Sequence, residues 1–511
     1  PRMTGLRFIF AAIRELFWPP QAYINLTKAW RVVREAGFGG LLHEIAMYFR
    51  WLKTKLSSYP DDPDLRYVIW LRKNEPNLQT LAGKVLWKLR MVRARFFGYR
   101  PKFSIIMPVY NTPAGHLVAA LESVRAQCYP FWELCVADDG SADPTVKEIL
   151  KDYSQKDPRI KVKFLDGRHG IAGASNAALG LATGEFVAFL DHDDELAPWA
   201  LYEVARVLNG DPTLDVVYSD EDKLEADGRR VNPFFKPDFS PETLLGMNYI
   251  GHLLVVRRAL IEGVGRFRLG FDGSQDHDLV LRLAERTARV ARIPKVLYHW
   301  RKAPGSAAGD VSAKPYAVAA AIRAIEEALQ RRGLSGTAEP VLPGLYRIRW
   351  HLKDTPLVSI IIPVRDRVDV LNRCVKSIFE KSTYRNWELL IVNNQSSEAE
   401  TLRFLDELSS LSNVKVLDYN DRFNFSKINN SAVNHARGEV LLFLNNDVEV
   451  VTPNWLEELL GYARQPEVGA VGAKLLLPDG RIQHGGVVLG LSGGADHAFY
   501  GLPGDEPGYF G

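Results

Sequence analysis

The chain has 511 residues, of which 46% are hydrophobic and 24% charged, and its formal net charge is +3. This balance is typical of globular proteins, and the length allows two or three domains that each bury a core. The small net charge gives no reason to expect nucleic acid as a partner, and no apolar run reaches the roughly 18 residues that a membrane-spanning helix needs. Three scattered cysteines fit a reducing cytoplasm better than a disulfide framework.

The first hundred residues mix apolar, aromatic and basic residues at helical spacing, mainly over 6–18 and 29–56. One interpretation is a helical subdomain packed on the next domain. The other is an interfacial helix on an anionic membrane, which Arg7 and Arg14 favour and Glu35 weakens. The sequence leaves both interpretations open.

From Lys102 the pattern changes to short buried strands separated by helices. Strands are predicted over 103–108, 132–137 and 186–190, with a helix over 119–127. Such alternation predicts an α/β fold with a mostly parallel sheet, in which ligands bind at the carboxyl ends of the strands. Three polar clusters stand at those ends: Tyr110-Asn111, Asp138-Asp139 and Asp191 to Asp194.

The same segment occurs twice. Ser104 to Val109 recurs as Ser359 to Val364, an offset of 359 − 104 = 255, and Trp132-Glu133-Leu134 recurs at the same offset. A repeat this long indicates domain duplication. We expect a helical N-terminal region (1–100), a complete first domain (101–340), a linker or crossover strand (341–356) and a second domain that is shorter at its C-terminal end (357–511).

Carboxylates in the first copy predict a metal and nucleotide site. Asp191 and Asp193 follow a strand and could bind one divalent cation, Mn²⁺ or Mg²⁺, on a diphosphate; the alternative is an acidic turn that caps a helix. Asp138 or Asp139 could accept a hydrogen bond from a nucleotide base that lies near Tyr110, or could serve only the turn.

Two further positions complete the predicted site. Asp276 precedes a helix and could act as general base for an incoming hydroxyl, whereas Asp278 is expected to cap that helix. His299 ends a late strand and could close back on the metal, although an isolated histidine is often structural.

At these residues the chain resembles glycosyltransferase family 2, which has the GT-A fold. The resemblance rests on four stretches in order, PVYN (108–111), ADDGSAD (137–143), LDHDDEL (190–196) and QDHD (275–278), and on SDEDK (219–223), which is similar to bacterial O-antigen and rhamnosyltransferase-type members. It implies two tandem GT-A domains, an inverting and metal-dependent transfer from a nucleotide sugar, and Asp276 as base. The implied metal ligands are Asp191, Asp193 and His299. The implied nucleotide-sugar-binding residues are Pro108, Tyr110, Asn111, Asp138, Asp139, Asp191, Asn394 and Asp447.

The second copy departs from this pattern. Asn393 and Asn394 replace the first two aspartates, and only Asp447 remains of the metal pair. No second QDHD follows, so we expect this copy, as it stands, to lack a base.

Three classes of function compete. The favoured one is a transferase that moves rhamnose or a hexose, from a thymidine or uridine diphosphate donor, to a bacterial surface polysaccharide or lipid-linked glycan. It would act in the cytoplasm or on the inner face of the cytoplasmic membrane, which the N-terminal region would contact. A glycan-binding scaffold with inactive domains is the alternative. A dehydrogenase or nucleotidyltransferase is disfavoured because neither G-x-G-x-x-G after the first strand nor a P-loop is present.

Overall fold

The computed structural model describes residues 63–76, 78, 80–302, 315–489 and 494–509. The predicted N-terminal segments 6–18 and 29–56 lie outside them. Within the described residues, no helix combines the length and the apolar character needed to cross a bilayer. Of the described residues, 87–229, 234–302, 315–473 and 509 belong to one compact unit, and the others belong to a second unit.

The first copy is an alternating α/β structure, as predicted. Two helices precede it, α1 (Pro63–Asn74) and α2 (Leu81–Ala94). Its strands are β1 (Phe103–Val109), β2 (Trp132–Asp138), β3 (Ile160–Phe164), β4 (Phe186–Phe189), β5 (Glu195–Leu196), β6 (Val216–Leu224), β7 (Arg230–Phe234), β8 (Leu254–Arg257) and β9 (Val290–Arg301). Its helices are α3 (Ala114–Arg125), α4 (Pro144–Lys156), α5 (Gly170–Leu179), α6 (Ala200–Gly210), α7 (Pro241–Gly246), α8 (Arg258–Gly263), α9 (Gln275–Ala284) and α10 (Pro315–Arg331).

The main sheet runs in the order β3-β2-β1-β4-β8-β6-β9-β5. Strands β1 to β4 pair in parallel, β8 pairs antiparallel with both β4 and β6, and β6 pairs in parallel with β9. Every residue of β2 is buried, because helices cover both faces of a parallel sheet. The carboxyl ends of β1, β2 and β4 therefore meet at one edge, as the sequence predicts.

The second copy repeats the first four strands. They are β12 (Val358–Val364), β13 (Trp387–Asn393), β14 (Val414–Asp418) and β15 (Val440–Phe443), in the order β14-β13-β12-β15. Its helices are α11 (Val368–Lys381), α12 (Ala399–Ser409), α13 (Phe425–Val433) and α14 (Trp455–Ala463). The register is also preserved, since Phe103 pairs with Trp132 in the first copy and Val358 with Trp387 in the second.

Buried polar contacts at the start of each copy are the same. The Ser104 hydroxyl donates to Glu133 at 2.6 Å and accepts the Gly184 N–H at 2.8 Å; in the second copy, Ser359, Glu388 and Gly438 repeat both distances. A Cβ on Gly184 would lie 2.6 Å from the carbonyl oxygen of Lys102. The recurring Gly-Glu pair of the sequence is therefore a close backbone approach at the start of β4 and β15.

A hairpin joins the two copies where the sequence predicts a linker or crossover strand. It consists of β10 (Gly336–Leu342) and β11 (Leu345–Trp350), which pair antiparallel. The indole of Trp350 packs on α14, where a Cβ on Gly461 would lie only 2.4 Å from it, and the ring of Tyr462 lies 5.4 Å away. Glu458 accepts a hydrogen bond from Arg349 at 2.6 Å. The segment is thus folded against the second copy.

The described residues after 473 contain four short strands: β16 (Leu475–Leu476), β17 (Ile482–His484), β18 (Val487–Leu489) and β19 (Ala495–His497). The turn between β16 and β17 reproduces the turn after β6. Asp227 accepts hydrogen bonds from the backbone N–H and Nε of Arg229, and Asp479 accepts the same two from Arg481. The repeat therefore extends past β15, at an offset of 481 − 229 = 252.

Candidate active site

An acidic turn follows β4 at the carboxyl edge of the sheet. It carries Asp191, Asp193 and Asp194, and Asp194 is fully buried. The Asp194 carboxylate accepts the Tyr298 hydroxyl at 2.6 Å and the Arg301 backbone N–H at 2.7 Å. The buried Asp194 carboxylate therefore ties the turn to β9.

The end of β9 forms the back wall of this turn. The Tyr298 hydroxyl also accepts the Asp191 backbone N–H at 3.1 Å. The Arg301 guanidinium donates to the Asp193 carbonyl at 2.8 Å and pairs with Glu195. Sequence reasoning selected His299 in this strand and missed Tyr298 and Arg301, which hold the turn directly.

Three side chains in the described residues bring possible ligand atoms within 4.8 Å of one another: Asp191, Asp194 and His252. Desolvation by the surrounding protein raises the pKa of Asp191. The neighbouring His252 opposes this shift, whereas the negative charges of Asp193 and Asp276 add to it. Burial, with the charges of Asp191 and Asp193, raises the pKa of Asp194 well above its ordinary value. Carboxylate oxygens are the ligands that Mn²⁺ and Mg²⁺ prefer, and a neutral imidazole nitrogen is a common further metal ligand.

His252 is held in place by the buried acidic strand β6. Its backbone N–H donates to Glu221 at 2.9 Å, and its carbonyl accepts from Lys236, which also pairs with Glu221 at 3.0 Å. Its ring stacks on Tyr298 with a centroid distance of 4.5 Å and meets the edge of Trp300 at 5.6 Å. No sequence motif pointed to His252, apart from the unusual run of acids in β6.

Asp193 and His299 lie outside this group of three. His299 is almost buried, and Asp222 lies 2.7 Å from its Nδ1. A carboxylate at Nδ1 orients the imidazole and leaves Nε2 as the ring nitrogen that can bind a metal or a substrate. Metal ligation by Asp193 and His299 stays a prediction.

The two aspartates after β2 have different partners. Asp139 accepts the backbone N–H groups of His169 at 2.6 Å and Gly170 at 2.9 Å, at the start of α5. Asp138 accepts the Ser141 N–H through one oxygen at 3.2 Å, whereas its other oxygen is shielded from solvent and has no hydrogen-bond partner. The structure thus gives Asp139 a role in the loop and leaves one acceptor of Asp138 available.

The loop after β1 lies beside them. Tyr110 is 36% exposed, and the Arg168 guanidinium lies 4.6 Å from its ring centroid. Asn111 has a φ of 47° and accepts the Ala142 N–H at 2.8 Å, which links this loop to that of Asp138. Pro108 is partly buried in β1 itself. The structure therefore gathers the predicted nucleotide residues of the first copy at one edge.

Asp276 lies in the first turn of α9, where its Oδ2 accepts Asn248 Nδ2 at 3.0 Å and its Oδ1 the His277 N–H at 2.8 Å. The prediction that Asp278 caps this helix is wrong. Ser274 occupies the N-cap position, and the buried Asp278 carboxylate pairs with Arg268 and Arg282. Burial alone would raise the pKa of Asp278, but these guanidinium groups lower it.

Besides the Asp138 oxygen, three polar atoms near the acidic turn and Asp276 are shielded from solvent without a hydrogen-bond partner. They are the Nδ1 atoms of His116 and His192 and the Oδ1 of Asn248. Burial and then the charge of Arg301 lower the pKa of His116, whereas the charge of Asp193 opposes this shift. Unsatisfied buried polar atoms that gather near carboxylates mark a place where a polar ligand would find partners.

The second copy has a sparser edge. Asn394 is buried and donates to the carbonyls of Tyr419 at 3.1 Å and Asp421 at 3.0 Å, whereas Asp447 is exposed. At the offset of the shared turn, the β6 acids Asp220, Glu221 and Asp222 correspond to a glycine, an alanine and a lysine. The second copy therefore lacks the acids that orient His252 and His299.

Comparisons with known proteins identify the family to which this chain belongs. Residues 104–265 and 359–484, more than half of the chain, match the family model described as Glycosyl transferase family 2. The chain is 46% identical over 439 residues to the uncharacterized protein y4gI of Sinorhizobium fredii (strain NBRC 101917 / NGR234), an alignment that covers 84% of this chain and 48% of that protein. It is 41% identical over 445 residues to the O-antigen biosynthesis protein RfbC of Myxococcus xanthus, covering 87% and 34%.

The chain thus spans half or less of the length of these relatives. A crystal structure of S. aureus TarS 1–349 in complex with UDP-GlcNAc aligns at 24% identity with a TM-score of 0.38, covering 45% of this chain and 66% of that one. The two segments matched by the family model each lie within one of the two structural copies. The chain belongs to glycosyl transferase family 2, and both copies are glycosyltransferase domains of that family.

Proposed function

We propose that the first copy transfers a sugar with inversion from a nucleoside diphosphate donor to a hydroxyl of a growing bacterial surface glycan. The observation that carries this proposal is the convergence of Asp191, Asp194 and His252 beside Asp276, whose charge contributes to the raised pKa of Asp191. A cation site next to a positioned carboxylate suits a reaction that needs both charge neutralisation and a base.

Asp191, Asp194 and His252 would hold a divalent cation, with Asp193 and His299 as the further ligands predicted from the sequence. When bound, the ion would neutralise charge on the departing diphosphate. Arg301 and Tyr298 would keep the turn in place, and the free oxygen of Asp138 would accept the N–H of the base, with Tyr110 beside the ring.

Asp276 would take the proton of the acceptor hydroxyl as that oxygen attacks the anomeric carbon. Asn248 and the His277 N–H each donate to one Asp276 oxygen, and these two hydrogen bonds fix the direction of the carboxylate. A single displacement inverts the anomeric centre, so no covalent intermediate is required.

The donor is proposed as thymidine diphosphate rhamnose or a uridine diphosphate hexose, and the acceptor as a polysaccharide or lipid-linked glycan. The relative named for O-antigen biosynthesis supports the acceptor class. A cytoplasmic location is part of this proposal, and three free, buried cysteines suit a reducing compartment.

For the second copy, glycan binding without transfer is the competing function. It is favoured by Asn394 in place of an aspartate and by the missing β6 acids.

The test is nucleoside diphosphate release from a panel of nucleotide sugars with Mn²⁺ or Mg²⁺. Asp276→Asn should lower kcat by about 100-fold or more at unchanged donor affinity, because only the proton acceptor is lost. Asp152→Asn, on an exposed face of α4, is the matched control. Normal turnover by Asp276→Asn or Asp276→Ala would refute this base, and absence of any metal-dependent turnover would refute the transferase assignment of this copy.

A further inference from the structure

Among the apolar side chains that helix α2 and the turn after it expose are Leu89, Val92 and Phe96, which we call the α2 stripe. Their exposed fractions are 59%, 55% and 82%. At 100° per residue they lie within about 60° of one another around the helix axis. The N–H groups of Arg95 and Phe96 continue the turn past Ala94 by bonding to carbonyls three residues earlier, so Phe96 stays in line with the other two.

The opposite face of the helix is anchored. Ala94 is fully buried, and Arg90 pairs with Glu203 at 3.5 Å while its guanidinium lies 5.5 Å from the Trp199 ring centroid. The Phe97 ring lies 5.4 Å from that of Tyr202 on α6. The orientation of the α2 stripe is therefore fixed by packing.

Basic residues flank the α2 stripe on both sides. Helical geometry places Lys88 and Arg95 on one side and Arg93 on the other, and all three are exposed. No Asp or Glu occurs between Glu75 and Glu122, whereas this span contains seven basic residues: Lys84, Lys88, Arg90, Arg93, Arg95, Arg100 and Lys102. An apolar strip bordered by cations, in a span of sequence without acidic residues, is complementary to a surface that is apolar beneath and negatively charged at its rim.

We propose that the α2 stripe docks on a bilayer that contains anionic lipids, with Leu89, Val92 and Phe96 between the headgroups and Lys88, Arg93 and Arg95 at the phosphates. An anionic bilayer combines both chemistries, and each cation near such a surface strengthens partitioning about fivefold. Docking would place the enzyme at a surface where a lipid-linked acceptor resides, but it does not depend on which sugar is transferred.

The experiment uses the full chain carrying Leu89→Cys and follows its reaction with a maleimide. Native thiols give little background, because Cys128, Cys135 and Cys374 are buried and burial raises the pKa of each to about 12. Leu402→Cys is the matched control, since Leu402 is a 43% exposed leucine on α12, a helix with acidic residues.

The introduced thiol at position 89 should react freely in buffer and with phosphatidylcholine vesicles. It should react at least about tenfold more slowly with equimolar phosphatidylcholine and phosphatidylglycerol vesicles, whereas Leu402→Cys should react equally in all three. Adding Lys88→Gln, Arg93→Gln and Arg95→Gln should remove most of this protection.

Slow reaction at position 89 in buffer alone would overturn docking, because another part of the chain or a second copy would then cover the α2 stripe. Unchanged reaction with the anionic vesicles would overturn it as well, and equal protection by neutral vesicles would refute the role of the flanking cations. Nucleoside diphosphate release by the same variants reports on transfer separately, so failure of docking and failure of the proposed function are distinguishable.

Discussion

Tyr298→Phe removes a single hydroxyl and should destabilise the acidic turn measurably. That hydroxyl donates to Asp194 at 2.6 Å and accepts the Asp191 N–H at 3.1 Å, and the residue is fully buried. A bond to a carboxyl group and a bond from a backbone N–H are together worth about 2–4 kcal/mol when their buried partners are left unsatisfied. At about 2–4 °C per kcal/mol, the melting temperature of the first copy should fall by about 4–16 °C.

Tyr129→Phe is the matched control, because its equally buried hydroxyl donates only to the Pro101 carbonyl at 2.9 Å. Its cost should be about 1 kcal/mol. Thermal unfolding followed by calorimetry compares the two variants, and metal titration of nucleoside diphosphate release should show a higher metal requirement for Tyr298→Phe alone. Equal melting shifts for the two variants, with an unchanged metal requirement, would refute a role of Tyr298 in holding the turn.

Three further changes test other parts of the fold. Asn248→Ala should lower kcat by about tenfold or more with little change in the melting temperature, since Asp276 loses the side-chain hydrogen bond that orients its carboxylate; a lower melting temperature at normal kcat would indicate a structural role only. Glu133→Gln should lower the free energy of unfolding in urea near neutral pH, and this difference should shrink progressively as the pH falls below about 4. Burial favours the neutral acid at Glu133, but hydrogen bonds from Lys102 and Ser104 outweigh it and lower the pKa, so its stabilisation is present above the unfolded-state pKa and is lost as the pH falls. Gly461→Ala should destabilise the second copy by about 1–3 kcal/mol through overlap with an indole, whereas Gly469→Ala, which meets nothing within 4 Å, should not; equal melting temperatures would contradict the close contact.

The sheet was predictable because its strands are short apolar runs that end in polar residues. β1 and β2 differ from their predicted ranges by one residue each, at Val109 and Asp138. The acids at the strand ends were also predictable, since parallel strands bring their carboxyl ends to one edge. Local pattern could not assign His252, because its relation to Asp191 depends on strands more than fifty residues apart in sequence.

Residues with long-range partners account for the error at α9. An aspartate near a helix N-terminus resembles a cap, but Asp278 is neutralised by Arg268, ten residues earlier, and by Arg282. Likewise, the composition of the predicted linker did not indicate a hairpin that packs on its neighbours. Its packing depends on Tyr346, which lies near His277, and on Trp350, which contacts α14.

The β10–β11 hairpin also limits how the carboxyl edges of the two sheets can move relative to one another. Tyr346 lies near Asp276, the proposed base: its ring centroid is 6.4 Å from that of His277. Burial raises the pKa of Tyr346, and the charge of Asp276 adds to this effect. Four residues later in the same strand, Trp350 is packed on α14 of the second copy. Because β11 is short, is paired with β10 and makes contacts near both of its ends, it acts as a rigid spacer between the two copies. The effective concentration of one copy at the other is then set by this fixed geometry rather than by the length of a flexible linker. A glycan that passed between the two copies would therefore have to span a constant distance at each transfer.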